Sequence, residues 1–274
     1  MTKIKKLWIV LFLIISANLL AQTVRFNRDV NLPFNIAASG PLLPDMDTQA
    51  LSPSVQSVGA VEETLWSENN LYQFLSVATT LSVASSDVDD NSAGTGLRTI
   101  QVTCLTDTYL EFKETVILNG QTEVAMSAQC FRVQGNGMLG LTAGSSGSNE
   151  GTIYIGDGTF TAGVPANVRG VIDPTDNISR FGVYTVPANK SLLVTQFAIS
   201  TSEAKNTVFV VVTKKENGLS IRAIEFTVNA NILSLSNSAP IRVDEKTDIE
   251  LRATTLEGDG DVKALFGFIV GVGI

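Results

Sequence analysis

Four oxygen-bearing side chains crowd one short stretch of this sequence. SSDVDDNSAG (85–94) sets Asp87, Asp89, Asp90 and Asn91 within five residues. A hard cation such as calcium takes roughly six to eight oxygens, and loop sites supply them from alternate positions. Asp87, Asp89 and Asn91 have that spacing. The frame then fails, because an EF-hand loop needs glycine at its sixth position and glutamate at its twelfth, where this chain has Ser92 and Arg98. A solvated acidic turn is the preferred reading, and a looser calcium site at Asp87, Asp89 and Asn91 is the alternative. No cofactor is expected.

Other loops offer less. AGSSGSNEG (143–151) lacks the Lys-Ser/Thr pair of a phosphate-binding loop, and no helical pattern follows to lend its N-terminus. Its GSSGS misses the nucleophile-elbow spacing by one residue. The chain contains no histidine, which removes the commonest general base and rules out Ser-His-Asp and Cys-His machinery. Glu111 with Glu114, and Glu245 with Glu250, could stand as the paired carboxylates of a glycosidase. On strands, however, acids that alternate with apolar residues usually form the wet face. The residues therefore point away from an enzyme and to no catalytic group. Trp66, with Tyr72 and Phe74 close by, could make a sugar-stacking platform, but a place in the core is the preferred reading.

The formal net charge is −8, and residues 1–21 hold three lysines and no acid, so the remainder is more acidic still. Such a chain is poorly suited to coating phosphate backbones, and no nucleic-acid partner is expected. Two cysteines are too few for a disulfide framework or a zinc site. Ile100, Val102 and Cys104 alternate along one run, as do Val124, Met126, Ala128 and Cys130 along another, so both thiols face inward. Two packed core thiols are the first reading. One disulfide between neighbouring strands is the second.

The N-terminus is a different kind of segment. MTKIKK is cationic, and Leu7, Trp8, Ile9, Val10, Leu11, Phe12, Leu13, Ile14 and Ile15 open an apolar stretch that ends at Ala21. Its length suits the h-region of a signal peptide and falls short of the roughly 20 residues a spanning helix prefers. A cleaved signal peptide is the first reading of residues 1–21, and an uncleaved membrane anchor the second.

These pieces need a scaffold, and the hydropathy pattern supplies one. Prolines at 33, 41, 44 and 53 make residues 22–56 an extended arm. Beyond it the apolar period is two. Thr99–Cys104 alternates, Tyr109–Leu118 runs to an Asn119-Gly120 turn, and Thr122–Val133 reads as the return strand of that hairpin. The turn-rich stretch 161–180 reads as a connection. In the second half, Ser191–Thr201, Thr207–Thr213, Leu219–Val228, Asp248–Thr254 and Val262–Val272 are strands. Thr207–Thr213 is apolar on both faces and so central to its sheet. The expected fold is all-β: an antiparallel β-sandwich or jelly-roll-like body of two packed domains, 57–160 and 181–274, preceded by the N-terminal hydrophobic helix and the arm. Leu265 and Ile269, on the opposite face of the last strand from Phe266 and Phe268, suggest burial on both sides or a subunit interface.

The body of the chain also resembles a known group. The shared frame comprises Ser85, Ser86 and Asp90; Gly94, Thr95, Gly96, Arg98, Thr99 and Ile100; Glu114, Thr115, Val116, Leu118, Asn119, Gly120 and Thr122; Arg132; and Asn149, Gly151 and Ile153. It continues in YTVPANK (184–190) and EKTDIELRA (245–253). On these motifs residues 57–274 resemble β-rich virion structural proteins of aquatic bacteriophages, of the spike, fibre or capsid-decoration type. The resemblance implies a place on the virion surface, a homo-oligomer, other virion proteins as partners, a host-surface receptor or glycan as a target, and no catalytic residue. One departure stands out. Tailed phages assemble in the cytoplasm and need no export signal, so residues 7–21 fit a phage with a lipid membrane. They fit equally a secreted bacterial β-sandwich adhesin or carbohydrate-binding module.

Overall fold

The computed structural model describes residues 45–202, 207–216, 219–229, 231–255 and 260–272. The apolar stretch 7–21, the helix expected there and most of the arm lie outside the described residues. The chain falls into two compact units, 1–48 and 49–274, and the account below concerns the second.

Regular structure among the described residues is entirely strand, and no helix there is long and apolar enough to cross a membrane. In chain order the first strands are β1 (Met46–Leu51), β2 (Ser54–Val58), β3 (Glu63–Thr64), β4 (Ser82–Ser85), β5 (Leu97–Leu105), β6 (Glu111–Ile117), β7 (Val124–Ala125), β8 (Arg132–Ala143), β9 (Ile153–Thr161) and β10 (Val164–Ile172). The rest are β11 (Val183–Thr185), β12 (Ser191–Thr201), β13 (Thr207–Glu216), β14 (Leu219–Asn229), β15 (Asn231–Val243), β16 (Asp248–Thr255) and β17 (Gly260–Gly271).

The first half stacks the sheet β10-β9-β4-β7 on the sheet β6-β5-β8. Val83, Ile153, Ile155 and Ile172 from one sheet meet Ile100, Val102, Val116 and Met138 from the other in a single buried cluster. The second half places β17-β12-β15, with β2 also paired to β17, over β11-β16-β13-β14, with β3 beside β16. Phe197, Ile199, Phe266 and Phe268 pack there against Tyr184, Ile249, Leu251 and Ala253. Two antiparallel sandwiches result, as the period-two pattern leads one to expect. Core residues buried on both inner faces dominate the stability of such a layer, at roughly 1.5–3 kcal/mol for each large apolar side chain.

Several local expectations give way. The end of the expected arm, Ser54–Gln56, continues with Ser57 and Val58 into a strand that hydrogen bonds to β17, with Val55 and Val58 buried in the core. The stretch 161–180, expected as a connection, begins inside a hairpin: β9 and β10 pair across a two-residue turn, Ala162-Gly163, with both residues at positive φ (48° and 82°). Pro165 is tolerated because β10 is an edge strand and its register shifts there. Asn119-Gly120 is a turn, with Gly120 at φ 61°, but its strands do not pair with each other. Val124–Ala125 crosses to β4 in the opposite sheet, and β5 instead takes β6 and β8 as neighbours. Thr207–Glu216 is central, between β14 and β16. On β17, Ile269 is buried while Leu265 remains 36% exposed, so only part of the second face is covered.

Candidate functional site

Asp90 does not point to solvent. It is fully buried, and its carboxylate accepts four hydrogen bonds: the Leu97 N–H (2.7 Å) and Glu150 N–H (3.0 Å) on Oδ1, and the Gly151 N–H (2.9 Å) and Ser85 hydroxyl (2.6 Å) on Oδ2. Its own carbonyl accepts the Gly120 N–H at 2.8 Å. A charged acceptor surrounded by donors is how a buried carboxylate offsets its desolvation. The site also fixes the glycines. A Cβ on Gly96 would lie 2.2 Å from Asp90 Oδ1, so no side chain fits there. Around this centre Arg98 donates to the Gly94 carbonyl, Thr95 to Glu150, the Ser86 hydroxyl accepts Thr152 N–H, and Asn149 donates to the carbonyls of Gly151 and Asp173. Loops up to 66 residues apart in the chain are thus knotted together.

The acids beside Asp90 do face outward. Asp87, Asp89 and Glu150 bring carboxylate oxygens within 4.8 Å of one another. Asn91, the third ligand expected from the sequence, closes the turn: its side-chain N–H donates to the Val88 carbonyl and its amide oxygen accepts the Ala93 N–H. The partner from 60 residues on could not be read from local spacing. Asp87 Oδ1 accepts the Asp89 N–H within the turn, and Glu150 Oε1 accepts the Thr95 hydroxyl from across the loop.

A second polar centre joins the two sandwiches. Arg132 on β8 and Asp248 on β16 form a buried fork, Nε to Oδ1 at 2.9 Å and Nη2 to Oδ2 at 3.0 Å. Arg132 Nη1 also donates to the carbonyls of Leu75 and Phe131, its guanidinium lies 3.9 Å from the Phe131 ring centre, and Thr185 donates to Asp248. Beside it, Gln134 exchanges two hydrogen bonds with the Thr185 backbone. Glu250, expected on a wet face, is buried like Asp248 on a strand flanked at that position by β11 and β13. It accepts from Thr64 and from Arg252 (2.6 Å), and Arg252 also reaches Glu62 (2.8 Å). Burial opposes the Arg252 charge, but Glu250 and Glu62 outweigh it and hold its pKa above the ordinary value. Glu114 is likewise occupied, capping the N–H groups of Ser127 and Ala128. One acid of each pair considered from the sequence, Glu114 and Glu250, is thus engaged by the scaffold.

Cys104 and Cys130 are bonded to each other and fully buried, which corrects the preference for two free thiols. Strand parity places both side chains inward but says nothing of which strand lies opposite. With the two cysteines 26 positions apart in sequence, loop-closure entropy alone gives roughly 3–4 kcal/mol. The double variant Cys104→Ala/Cys130→Ala is expected to lose about that much stability in urea unfolding. In denaturant without reductant, the parent chain should present no thiol to a maleimide. Two reactive thiols under that condition would contradict the bond.

Trp66 and Tyr72 are core residues, 2% and 7% exposed, stacked around Phe181. Trp66 nevertheless borders a surface pocket of about 400 Å³ that also takes in Phe74, Glu68, Asn70, Gln73, and residues 166–169 of β10. The walls are fixed. Trp66 Nε1 donates to the Asn70 carbonyl (2.8 Å), Tyr72 to the Arg169 carbonyl (2.9 Å), and Arg169 to Asp157 (3.0 Å) and the Gln73 carbonyl (2.5 Å). Half-burial, followed by the negative charge of Asp173, pushes the Glu68 carboxyl above its usual range. Burial raises Tyr72 strongly.

No protein-family model matches the sequence, and no curated protein does. Solved structures with some likeness come from infectious bursal disease virus. That of its Gt strain shares 14% identity, over 88% of this chain and 76% of that one, with a TM-score of 0.22. A VP2 point mutant from derived T=1 particles shares 16%, over 88% and 75%, at 0.21. The VP2 subviral particle shares 14%, over 88% and 78%, at 0.22. Superposition at that level assigns neither a fold nor a role to this chain.

Proposed function

We propose that the chain is a structural protein of a bacteriophage virion, displayed at the particle surface as a spike, fibre or capsid decoration and positioned by its N-terminal segment. One observation carries this reading. The residues shared with the phage proteins are gathered in space and perform one task. Ser85, Ser86, Gly94, Thr95, Gly96, Arg98, Gly120, Asn149 and Gly151 close the knot around Asp90. Arg132 and Asp248 join the two sandwiches, and within the second sandwich Thr185 donates to Asp248 and Glu245 accepts the Asn189 N–H. These residues of the frame therefore build a rigid body, which is the demand made of a particle component.

A second reading, a secreted bacterial adhesin or carbohydrate-binding module, is favoured by the Cys104–Cys130 disulfide, since such bonds persist in oxidising compartments. A membrane-bearing virion with this segment as its anchor satisfies both features. Immunogold labelling of intact particles with antibody raised against residues 49–274 tests the reading. Gold on the particle surface is the expected result, and unlabelled particles beside labelled cell envelopes would favour the secreted module.

A further inference from the structure

We propose that the pocket between the Trp66–Asn70 loop and the bulged strand β10 binds a neutral saccharide. This goes beyond a virion role and does not depend on it. A pyranose ring presents one apolar patch and several hydroxyls that each donate and accept. The pocket matches both. Phe74 and Val168 supply an apolar wall, and Glu68, Asn70, Gln73 and Asn167 supply donors and acceptors around it. Side chains of Glu68, Asn70 and Asn167 make no hydrogen bond within the described residues. A volume of about 400 Å³ lies within the range of small-ligand sites and suits one or two rings.

The site is also preorganised. The register of β10 shifts between Pro165 and Asn167 and again between Val168 and Gly170, and such bulges re-aim side chains away from the sheet's regular alternation. Asn69, at φ 49°, turns the opposing loop. The backbone ties from Trp66, Tyr72 and Arg169 hold the two walls together before any ligand arrives. Charge decides the ligand class. Arg169 is already paired with Asp157, and the remaining ionisable group, Glu68, is an acid. A phosphate, sulfate or sialic acid would meet an unneutralised carboxyl, whereas a neutral sugar would find in it a strong acceptor or, when protonated, a donor. The larger groove of about 630 Å³ on the other side of the same loop, lined by Asp173, Asp176, Arg180 and Lys263 among others, has no aromatic ring in its described lining.

The experiment is a glycan microarray carrying neutral, sulfated and sialylated glycans, probed with the purified chain and followed by titration of the strongest hits. Asn167→Trp would fill the pocket from an exposed rim position, and Glu68→Gln keeps its shape. Retention of at least one neutral glycan class is expected, with affinity at least tenfold weaker for Asn167→Trp at an unchanged melting temperature. No retention, retention of charged glycans alone, or equal affinity in Asn167→Trp would overturn the proposal. Should Asn167→Trp lower the melting temperature, the double variant Asn70→Ala/Glu68→Gln provides the same comparison. A negative array would leave the virion reading untouched.

Discussion

Asp90→Ala is expected to cost about 4 kcal/mol of folding stability, a large loss for a single side chain. The substitution leaves the Leu97, Glu150 and Gly151 N–H groups and the Ser85 hydroxyl facing a void. Each buried donor left without an acceptor costs about 1–3 kcal/mol, and water entering the vacated space recovers part of the sum. Native domains are held by only about 5–15 kcal/mol, so the variant should melt well below the parent or accumulate unfolded. Asp90→Asn is the informative control. Its carbonyl can still serve Leu97 and Glu150, but its amide then confronts the Gly151 N–H, and about half the loss is expected. Urea unfolding of the three proteins checks the order. An Asp90→Ala variant within about 0.5 kcal/mol of the parent, the range of ordinary surface changes, would mean that the knot does not exist in solution.

Arg132→Met should be nearly as damaging, by about 3–5 kcal/mol, because it strands the buried Asp248 carboxylate with Thr185 as its remaining side-chain donor. Two features separate this from loss of a surface ion pair. The penalty should persist when sodium chloride is raised to about 0.5 M, since buried pairs are screened far less than exposed ones. The double variant Arg132→Met/Asp248→Leu should be more stable than Arg132→Met alone, since it removes the orphaned charge and fills the space with apolar atoms. Thermal melts at two salt concentrations provide both tests. A double variant less stable than Arg132→Met would show that the fork contributes more than its desolvation costs.

What the sequence reveals and conceals follows from the range of each signal. Period-two alternation is local, and it places β5, β12, β16 and β17 well. It cannot say which strands pair, so Asn119-Gly120 marks a turn correctly while Val124–Ala125 goes to the other sheet. The β9–β10 hairpin hides because its turn is Ala162-Gly163 and Pro165 argues against a strand, an argument that lapses on an edge. Strand β15, NILSLSNSAPIRV, is too rich in serine and asparagine to announce itself. In the acidic loop the alternation Asp87, Asp89 draws attention to the two solvent-facing acids, whereas the adjacent Asp90, of opposite parity, is the one that organises the fold. Arg132, Asp248 and Glu250 look like surface charge until the layer above them is known. The pocket beside Trp66 has no local signature at all, being assembled from segments about 100 residues apart.

The central claim, that this chain is a component of a virus particle, is tested most directly by quantitative mass spectrometry across a density gradient of particles produced from the genome that encodes it. The account predicts that peptides from residues 49–274 peak with infectivity, at a constant ratio to the other particle proteins. Peptides found only in the medium or the cell envelope, and absent from the infectious fractions, would contradict it.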